Sequence, residues 1–191
     1  INTFTHILEG YKVADIMKEH GAGASTFSDW WGYKYEVNDA IPYNASIMHN
    51  AGVTVALNSD SSELSRRLNL EAAKAVKYGG VSEEEAWKFV TLNPAKLLHL
   101  DDKVGSLKIG KHADIVIWSG HPMSLYTKVE QTYIDGSLYF DQEQHKNKIE
   151  EIQKEKTELI KLMFEDNTPG GNLNYPNPRA QREVNCETKK F

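Results

Sequence analysis

The chain has 191 residues and a formal net charge of −5, and 40% of its residues are hydrophobic. A chain of this kind can bury a real core, while none of its apolar runs is long enough to cross a bilayer. Basic and acidic residues are interspersed, which disfavours nucleic acid as a partner, and the single Cys186 excludes an intrachain disulfide framework.

The start of the chain bears on what surrounds it and where it works. Its first residue is Ile1 rather than Met, and the sequence opens within a strand-like pattern, so we expect an N-terminal portion to be missing. No charged segment followed by an apolar one is visible, and a protein without disulfides fits several compartments. We therefore expect a soluble protein and leave the cytoplasm, the periplasm and secretion open.

The first 80 residues alternate short apolar runs with helical patterns. Strands are predicted at residues 2–7, 23–27 and 53–57, and helices at 11–19, 42–50 and 63–78. Near-continuous apolar strands separated by helices indicate a parallel sheet that is covered on both faces. This pattern is typical of doubly wound sheets and of (β/α)8 barrels.

After residue 80 two further helices are predicted, followed by a change to short strands. Ser82 and Glu85 form a capping box at the start of one helix, and Pro94 suits the first turn of the next. Strands are predicted at residues 105–107, 113–118, 129–134 and 138–140. The dipeptide Asp135-Gly136 favours a type I′ hairpin turn between the last two, so a small β module is expected from Gly105.

The end of the chain differs from the rest in composition. Residues 142–164 are helical in pattern and highly charged, with a thin apolar stripe formed by Ile149, Ile152, Leu159, Ile160 and Met163. We interpret this segment as a surface helix lying on the domain, with a coiled-coil partner helix as the alternative. Residues 165–191 have few apolar anchors and are expected to be extended or disordered, or draped over another subunit.

Polar side chains follow the three strands of the predicted parallel sheet. His6 lies at the end of the first strand and Asp60 follows the third, at the strand ends where such folds carry functional groups. An imidazole and a carboxylate are ordinary ligands for Zn²⁺ and similar ions. Each residue alone also has a structural explanation, as a hydrogen-bonded histidine or as an aspartate that forms a turn or caps a helix.

Four segments resemble the metal-dependent amidohydrolase superfamily, specifically its imidazolonepropionase-related branch. The sequence THILEGYKVAD at residues 5–15 is similar to the sixth barrel strand and its loop, and VTVALNSD at residues 53–60 to the eighth strand. Residues 83–96 resemble the helix pair after the barrel. The segment VGSLKIGKHADIVIW at residues 104–118 resembles the return into a small β-sandwich and is the most specific of the four.

The resemblance implies an α/β fold and divides the chain into four parts. Residues 1–104 would be the C-terminal part of a TIM-like (β/α)8 barrel, about its last three βα units. Residues 105–141 would be part of the small β-sandwich module, 142–164 the surface helix and 165–191 the tail.

The same resemblance implies roles for two side chains. His6 would be a metal ligand, and Asp60 would bind metal and accept the proton of the attacking water. The cofactor would be one or two divalent ions, with zinc as the first choice. The family's other ligands lie on strands that this chain does not contain.

Other polar and aromatic residues near these strand ends are candidates for binding a substrate. They are Glu9 and Tyr11 after the first strand, Asp29, Trp30 and Trp31 after the second, and Ser62 and Arg66 after the third. Aromatic walls with few polar groups are usual for small-molecule sites. Each set also has a structural alternative. The tryptophans would then simply pack over helices, and the other residues would be solvated at the start of a helix.

The sequence thus predicts a C-terminal fragment of an amidohydrolase that hydrolyses an amide or other C–N bond of a small molecule. Dipeptides, N-acyl amino acids and cyclic amides are the substrate classes considered. Because a three-unit piece leaves a parallel strand edge unpaired, we expect an oligomer, or a partner that supplies the missing half of the barrel. The alternative is a catalytically incomplete binding or structural module; a nucleotide-binding fold is disfavoured because no glycine-rich loop follows a strand.

Overall fold

The computed structural model describes residues 2–165, and its first unit is a parallel sheet. Strands β1 (Thr3–Phe4), β2 (Gly23–Thr26) and β3 (Val55–Leu57) lie side by side in that order. The strand predicted at 2–7 is shorter than expected because His6 has a φ of 54°. This left-handed conformation turns the chain out of the strand.

Helices follow each strand, as the alternating pattern predicts. They are α1 (Ala14–His20), α2 (Asn44–Asn50), α3 (Ser62–Ser65), α4 (Leu68–Gly79), α5 (Glu83–Lys88) and α6 (Leu92–Leu97). Gly21 ends α1 with a φ of 80°, a conformation that glycine adopts without steric cost. The capping residue expected at Ser82 is confirmed, because its hydroxyl accepts a hydrogen bond from the Glu85 amide.

The single helix predicted at residues 63–78 is two helices instead. Helix α3 ends after one turn, and Arg67 leaves helical geometry before α4 begins. The side chain of Asn69, in the first turn of α4, donates a 2.6 Å hydrogen bond to the Pro122 carbonyl. This contact with a distant segment gives the start of α4 a direction that local propensity does not encode.

The core lies around β3, and the helices also contact that strand's outer edge. Val55, Phe89 and Met48 are fully buried. The Leu57 amide donates to the Phe89 carbonyl at 2.8 Å, and the Asn93 side chain donates to the Val55 carbonyl at 2.8 Å. Within the described residues no further strand pairs with β1 or β3, so the expected unpaired strand edge stands, although Phe89 and Asn93 take up two of the hydrogen bonds of β3.

A second sheet is antiparallel. Strands β4 (Ile115–Trp118), β5 (Val129–Ile134) and β6 (Ser137–Asp141) pair in sequence order. Asp135 and Gly136 have φ angles of 49° and 77°, as the predicted hairpin turn requires. The strand predicted at 105–107 is wrong: this segment is a loop around the Lys111 ammonium, which donates to the Ser106 hydroxyl at 2.7 Å and to the Asp101 carbonyl.

The long helix predicted near the end is α7 (Gln142–Glu165), but its surroundings differ from the expectation. Residues Glu143 to Glu165 are exposed, including the whole apolar stripe. The stripe therefore does not pack on the domain, and within residues 2–165 the main contacts of α7 are with β5 and β6. The tail predicted at 165–191 lies outside the described residues from 166 onward.

No helix within residues 2–165 combines the length and the apolar character needed to span a bilayer. The long helix α7 carries charged side chains along its whole length.

Candidate active site

His6 lies at the carboxyl end of β1, in a tight turn. The Ile7 amide donates to the Ser25 carbonyl at 3.1 Å, which continues the pairing with β2. The Leu8 amide then donates back to the His6 carbonyl at 2.9 Å. These bonds and the left-handed backbone at His6 turn the chain away from the sheet, and the imidazole lies at the strand end.

Asp60 lies at the carboxyl end of β3, and the following helix does not use its carboxylate. Ser61 caps α3 instead, with its hydroxyl accepting from the amides of Glu63 and Leu64. The Ser59 hydroxyl braces the same turn by donating to the Ser61 carbonyl at 2.8 Å. The structural alternative for Asp60 as an N-cap is therefore wrong, and its oxygens face the sheet end.

The structure brings His6 and Asp60 together across the end of the central strand. The His6 Nε2 and Asp60 Oδ1 atoms are 3.0 Å apart, and the two side chains are 51% and 34% exposed. Phe27 at the end of β2 meets the imidazole edge to face, with ring centroids 5.3 Å apart. A nitrogen and an oxygen donor thus share one partly open position against an aromatic ring.

This donor pair fits a divalent metal ion in chemistry and in spacing. Two ligand atoms about 2.1 Å from one ion are about 3.0 to 3.4 Å apart for angles between 90° and tetrahedral. The observed 3.0 Å lies at the lower end of that range and is also the length of a hydrogen bond between the two side chains, as the structural alternative for His6 predicts. Residues 2–165 contain no cluster of three or more His, Cys, Asp or Glu side chains suited to a metal, so the structure brings together two candidate ligand atoms and no third.

Aromatic rings line one side of the pair. Trp30 stacks on Phe27 with centroids 4.0 Å apart, and Tyr33 leans on Trp30 at 5.5 Å. Trp31, which was predicted beside them, is 54% exposed. Phe27 was missed by the sequence analysis because a phenylalanine at the end of a buried strand resembles an ordinary core residue.

Asp29 contacts a charged cluster on α4. The Lys74 ammonium donates to the carboxylates of Asp29 at 2.8 Å and Glu71 at 3.0 Å, and the Ser28 hydroxyl also bonds to Glu71. Partial burial lowers the pKa of Lys74, but its hydrogen bonds to Asp29 and Glu71 outweigh this, and the net pKa is raised. Asp29 thereby anchors the aromatic loop to α4.

Glu9 and Tyr11 lie in the loop after His6. Lys12 bridges Glu9 at 2.7 Å and Asp39 at 2.5 Å, and these two hydrogen bonds raise the pKa of Lys12 above its ordinary value. The Tyr11 amide donates to the side chain of Asn44 at 2.9 Å. The Glu9 carboxylate thus has a partner inside the chain, whereas Tyr11 is held through its backbone amide.

Ser62 and Arg66 belong to the short helix after Asp60. The Arg66 guanidinium is exposed and donates to Glu63 at 2.7 Å and to the Ser62 carbonyl at 3.3 Å. These contacts lie within one turn of α3, as the alternative of an ordinary helix start predicts.

Comparison with known proteins assigns a family to this arrangement. Residues 42–168 match the model of the Amidohydrolase family. The chain is 31% identical to the amidohydrolase tasK of Hapsidospora irregularis over 74% of the chain and 15% of tasK. It is 35% identical to the imidazolonepropionase of Thermoplasma volcanium over 56% of the chain and 28% of that protein.

A solved structure agrees with these sequences. The amidohydrolase of Thermotoga maritima MSB8 superposes with a TM-score of 0.66 and 33% identity, over 73% of this chain and 37% of that one. The chain therefore spans well under half the length of these relatives. It belongs to the amidohydrolase family and has imidazolonepropionases among its homologues.

Proposed function

We propose that this chain forms the carboxyl-terminal side of the active site of a metal-dependent amidohydrolase that acts on an amide or other C–N bond. The observation that supports this most is the 3.0 Å approach of His6 Nε2 and Asp60 Oδ1 at the carboxyl end of a parallel sheet. Parallel α/β folds carry their catalytic groups at this end of their strands.

The rest of the site would come from other strands. In this proposal β1 to β3 are about the last three strands of a TIM-like barrel, and β4 to β6 are part of a small β-sandwich. A working site needs at least three protein ligands, so the remaining ligands belong to the other barrel strands or to another subunit. An oligomer, or a polypeptide that carries the whole barrel, is the active form in this view.

The roles of the two residues follow from their chemistry. A divalent ion, zinc being the first choice, would lower the pKa of a water molecule toward neutrality when bound. His6 would hold it through Nε2 and Asp60 through its carboxylate. Asp60 would also accept the proton of the attacking water and pass it to the leaving amine.

The surroundings of the pair favour a small substrate with an apolar part. Phe27 and Trp30 form an aromatic wall beside His6, and such walls bury apolar groups of small ligands. Glu9 and Arg66 would contact polar groups of the substrate only by leaving their present ion pairs. Dipeptides, N-acyl amino acids and cyclic amides are the classes to test.

Paramagnetic Mn²⁺ tests the metal-binding half of the proposal on the 191-residue chain. We expect NMR signals around His6 and Asp60 to broaden first, because even two ligands bind a divalent ion weakly. His6→Ala and Asp60→Asn should each abolish this local broadening. Asp114→Asn is the matched control, since Asp114 lies in the antiparallel module, where its carboxylate accepts from the Asp135 amide at 2.8 Å.

The catalytic half is tested on a polypeptide that joins this chain to the remaining barrel strands. Hydrolysis of the three substrate classes should require added Zn²⁺ and should fall by at least about a thousandfold in Asp60→Asn. If the Mn²⁺ broadening of the NMR signals is unchanged in both His6→Ala and Asp60→Asn, the alternative of a hydrolase-derived binding or structural module is favoured instead.

A further inference from the structure

Asn44, at the start of α2, has a side chain that is buried and fully engaged. It is 1% exposed, although it follows a surface loop. Its Nδ2 donates to the Ile7 carbonyl and to the Thr26 hydroxyl, both at 3.0 Å, and its Oδ1 accepts from the Tyr11 amide at 2.9 Å. Both amide hydrogens and one acceptor position are thus used, which fixes the amide in one orientation.

The three bonds join the loop that follows His6 to the central strand. Ile7 is the residue next to His6, and Tyr11 lies at the far end of the same loop. Thr26 is the last residue of β2 and is completely buried. Asn44 therefore fastens both ends of the loop to a rigid part of the sheet.

This fastening matters because the backbone at His6 is strained. A left-handed conformation costs a residue other than glycine about 1 to 2 kcal/mol, so surrounding contacts must hold it. His6 has a φ of 54°, and its carbonyl closes a turn with the Leu8 amide. Within that turn, the Ile7 carbonyl is held by the Asn44 amide.

We propose that Asn44 is a positioning residue for the metal site: by holding the Ile7 carbonyl it keeps the His6 imidazole facing Asp60. The inference rests on the proposed metal role of His6 and extends it to a residue that touches neither metal nor substrate. Partners that orient metal ligands from outside the site typically change metal affinity about 10- to 100-fold when they are lost.

Asn44→Asp is the informative variant because it keeps the size of the side chain and changes its hydrogen bonding. A carboxylate still accepts from the Tyr11 amide, but it presents an oxygen to the Ile7 carbonyl in place of a donor. Thr26→Val is a milder variant, since it keeps the shape of Thr26 and removes only the hydroxyl that Asn44 contacts.

Asn93→Asp is the matched control. Asn93 is also buried on a helix and also donates to a strand carbonyl, that of Val55 at 2.8 Å. It lies at the outer edge of β3 rather than in the His6 loop. Both aspartate variants should lower the free energy of unfolding, so stability does not distinguish them, whereas the position of the His6 ring does.

Two readouts on the 191-residue chain report that position. The first is the nuclear Overhauser effect between the ring protons of His6 and Phe27 in metal-free protein, whose ring centroids are 5.3 Å apart. The second is the midpoint of the Mn²⁺ broadening. We expect Asn44→Asp to lose the His6–Phe27 effect and to bind Mn²⁺ at least about tenfold more weakly. Thr26→Val should weaken both, and Asn93→Asp should change neither.

The inference is overturned if Asn44→Asp keeps both signals, or if Asn93→Asp loses them equally, because the role would then be structural. If Asn44→Asp does not fold, Thr26→Val decides by the same two readouts. Failure of the metal proposal looks different. In that case the wild-type chain shows no local Mn²⁺ broadening, while the His6–Phe27 effect still depends on Asn44 and the positioning role stands.

Discussion

Strands β3 and β4 consist entirely of apolar residues but have very different environments. Val55 to Leu57 in β3 are at most 4% exposed, whereas Ile115 to Ile117 in β4 are 37–41% exposed. The connections explain the difference. Parallel strands are joined through helices that return across the sheet and cover it, whereas a hairpin joins antiparallel strands and brings no cover with it.

The same difference decides where polar groups are held rigidly. The six buried polar residues among residues 2–165 all belong to the parallel unit and its helices: Thr26, Ser28, Asn44, Ser46, Glu71 and Asn93. Five of them have a hydrogen-bond partner in that unit, and the exception is the buried Ser46 hydroxyl, which has none within the described residues. A sheet covered by helices can therefore fix side chains at its carboxyl end, and the candidate site lies there rather than in the small module.

The largest expected effect is a difference between two matched valines. Val55→Ala should lower the free energy of unfolding by about 2 to 3 kcal/mol, because it removes two buried methyl groups and leaves a cavity. Val116→Ala should cost less than about 1 kcal/mol, since Val116 is 41% exposed. Urea unfolding at neutral pH measures both. Equal losses would mean that β4 is covered in solution and would remove the contrast between the sheets.

A pair of glycines should show no such difference between the units. Gly21 ends α1 with a φ of 80°, and Gly136 sits in the β5–β6 hairpin with a φ of 77°. An alanine Cβ would meet no atom closer than 3.9 Å at either position. Only backbone strain remains, so each Gly→Ala change should cost about 1 to 2 kcal/mol by urea unfolding. A much larger cost at Gly21 would show that burial, and not local geometry, governs that position.

Much of the architecture is predictable because it depends on local pattern. Alternating strands and helices indicated the parallel sheet, and Asp135-Gly136 indicated the hairpin. His6 and Asp60 were paired from sequence because the carboxyl ends of parallel strands meet at one edge of a sheet. Their roles as metal ligands stay a prediction.

The remaining features depend on contacts between distant residues. Asn44 looked like an ordinary residue at a helix start, because its three partners lie on two other segments. Lys74 is three residues from Glu71, a spacing that is typical of a solvated helix face, and only the packing of the β2 loop on α4 buries that carboxylate. One of the two hydrogen bonds at the edge of β3 is accepted by the backbone carbonyl of Phe89, which no side-chain pattern reveals.

The charged cluster of the parallel unit should make stability sensitive to alkaline pH. The pKa of Lys74 in the folded chain is raised above its ordinary 10.5. Its contribution is therefore complete below the unfolded pKa and is lost as pH rises through the folded pKa. Urea unfolding between pH 9 and pH 12 should show a steeper decline for wild type than for Lys74→Met.

Lys74→Arg is the control, because arginine stays protonated across this range. It should keep most of the neutral-pH stability and also decline less steeply. Identical slopes in all three proteins would mean that Lys74 does not titrate differently in the folded and unfolded chains.

The smallest effect on stability is expected at the start of the exposed helix α7, where Asp141 caps the first turn. The Asp141 carboxylate accepts from the Gln144 and Glu143 amides at 3.0 Å and from the Gln131 side chain at 2.9 Å. The bonds from Gln144 and Gln131 lower the pKa of Asp141 below its ordinary 3.8. Because the folded pKa is depressed, the capping contribution is present above the unfolded pKa and is lost as pH falls through the folded one.

The amide and Cα chemical shifts of Glu143 and Gln144 measure this capping between pH 5 and pH 2. Wild type should lose helical shifts in the first turn of α7 at the acid end, and Asp141→Ala should lack them throughout. Asp141→Asn should keep them without pH dependence, because its carbonyl oxygen still accepts but does not titrate. If these chemical shifts are the same in wild type and in both variants, contacts along α7, and not its cap, stabilise the first turn. In that case α7, although exposed, would be stabilised along its length, and the contrast with the buried parallel unit would be smaller.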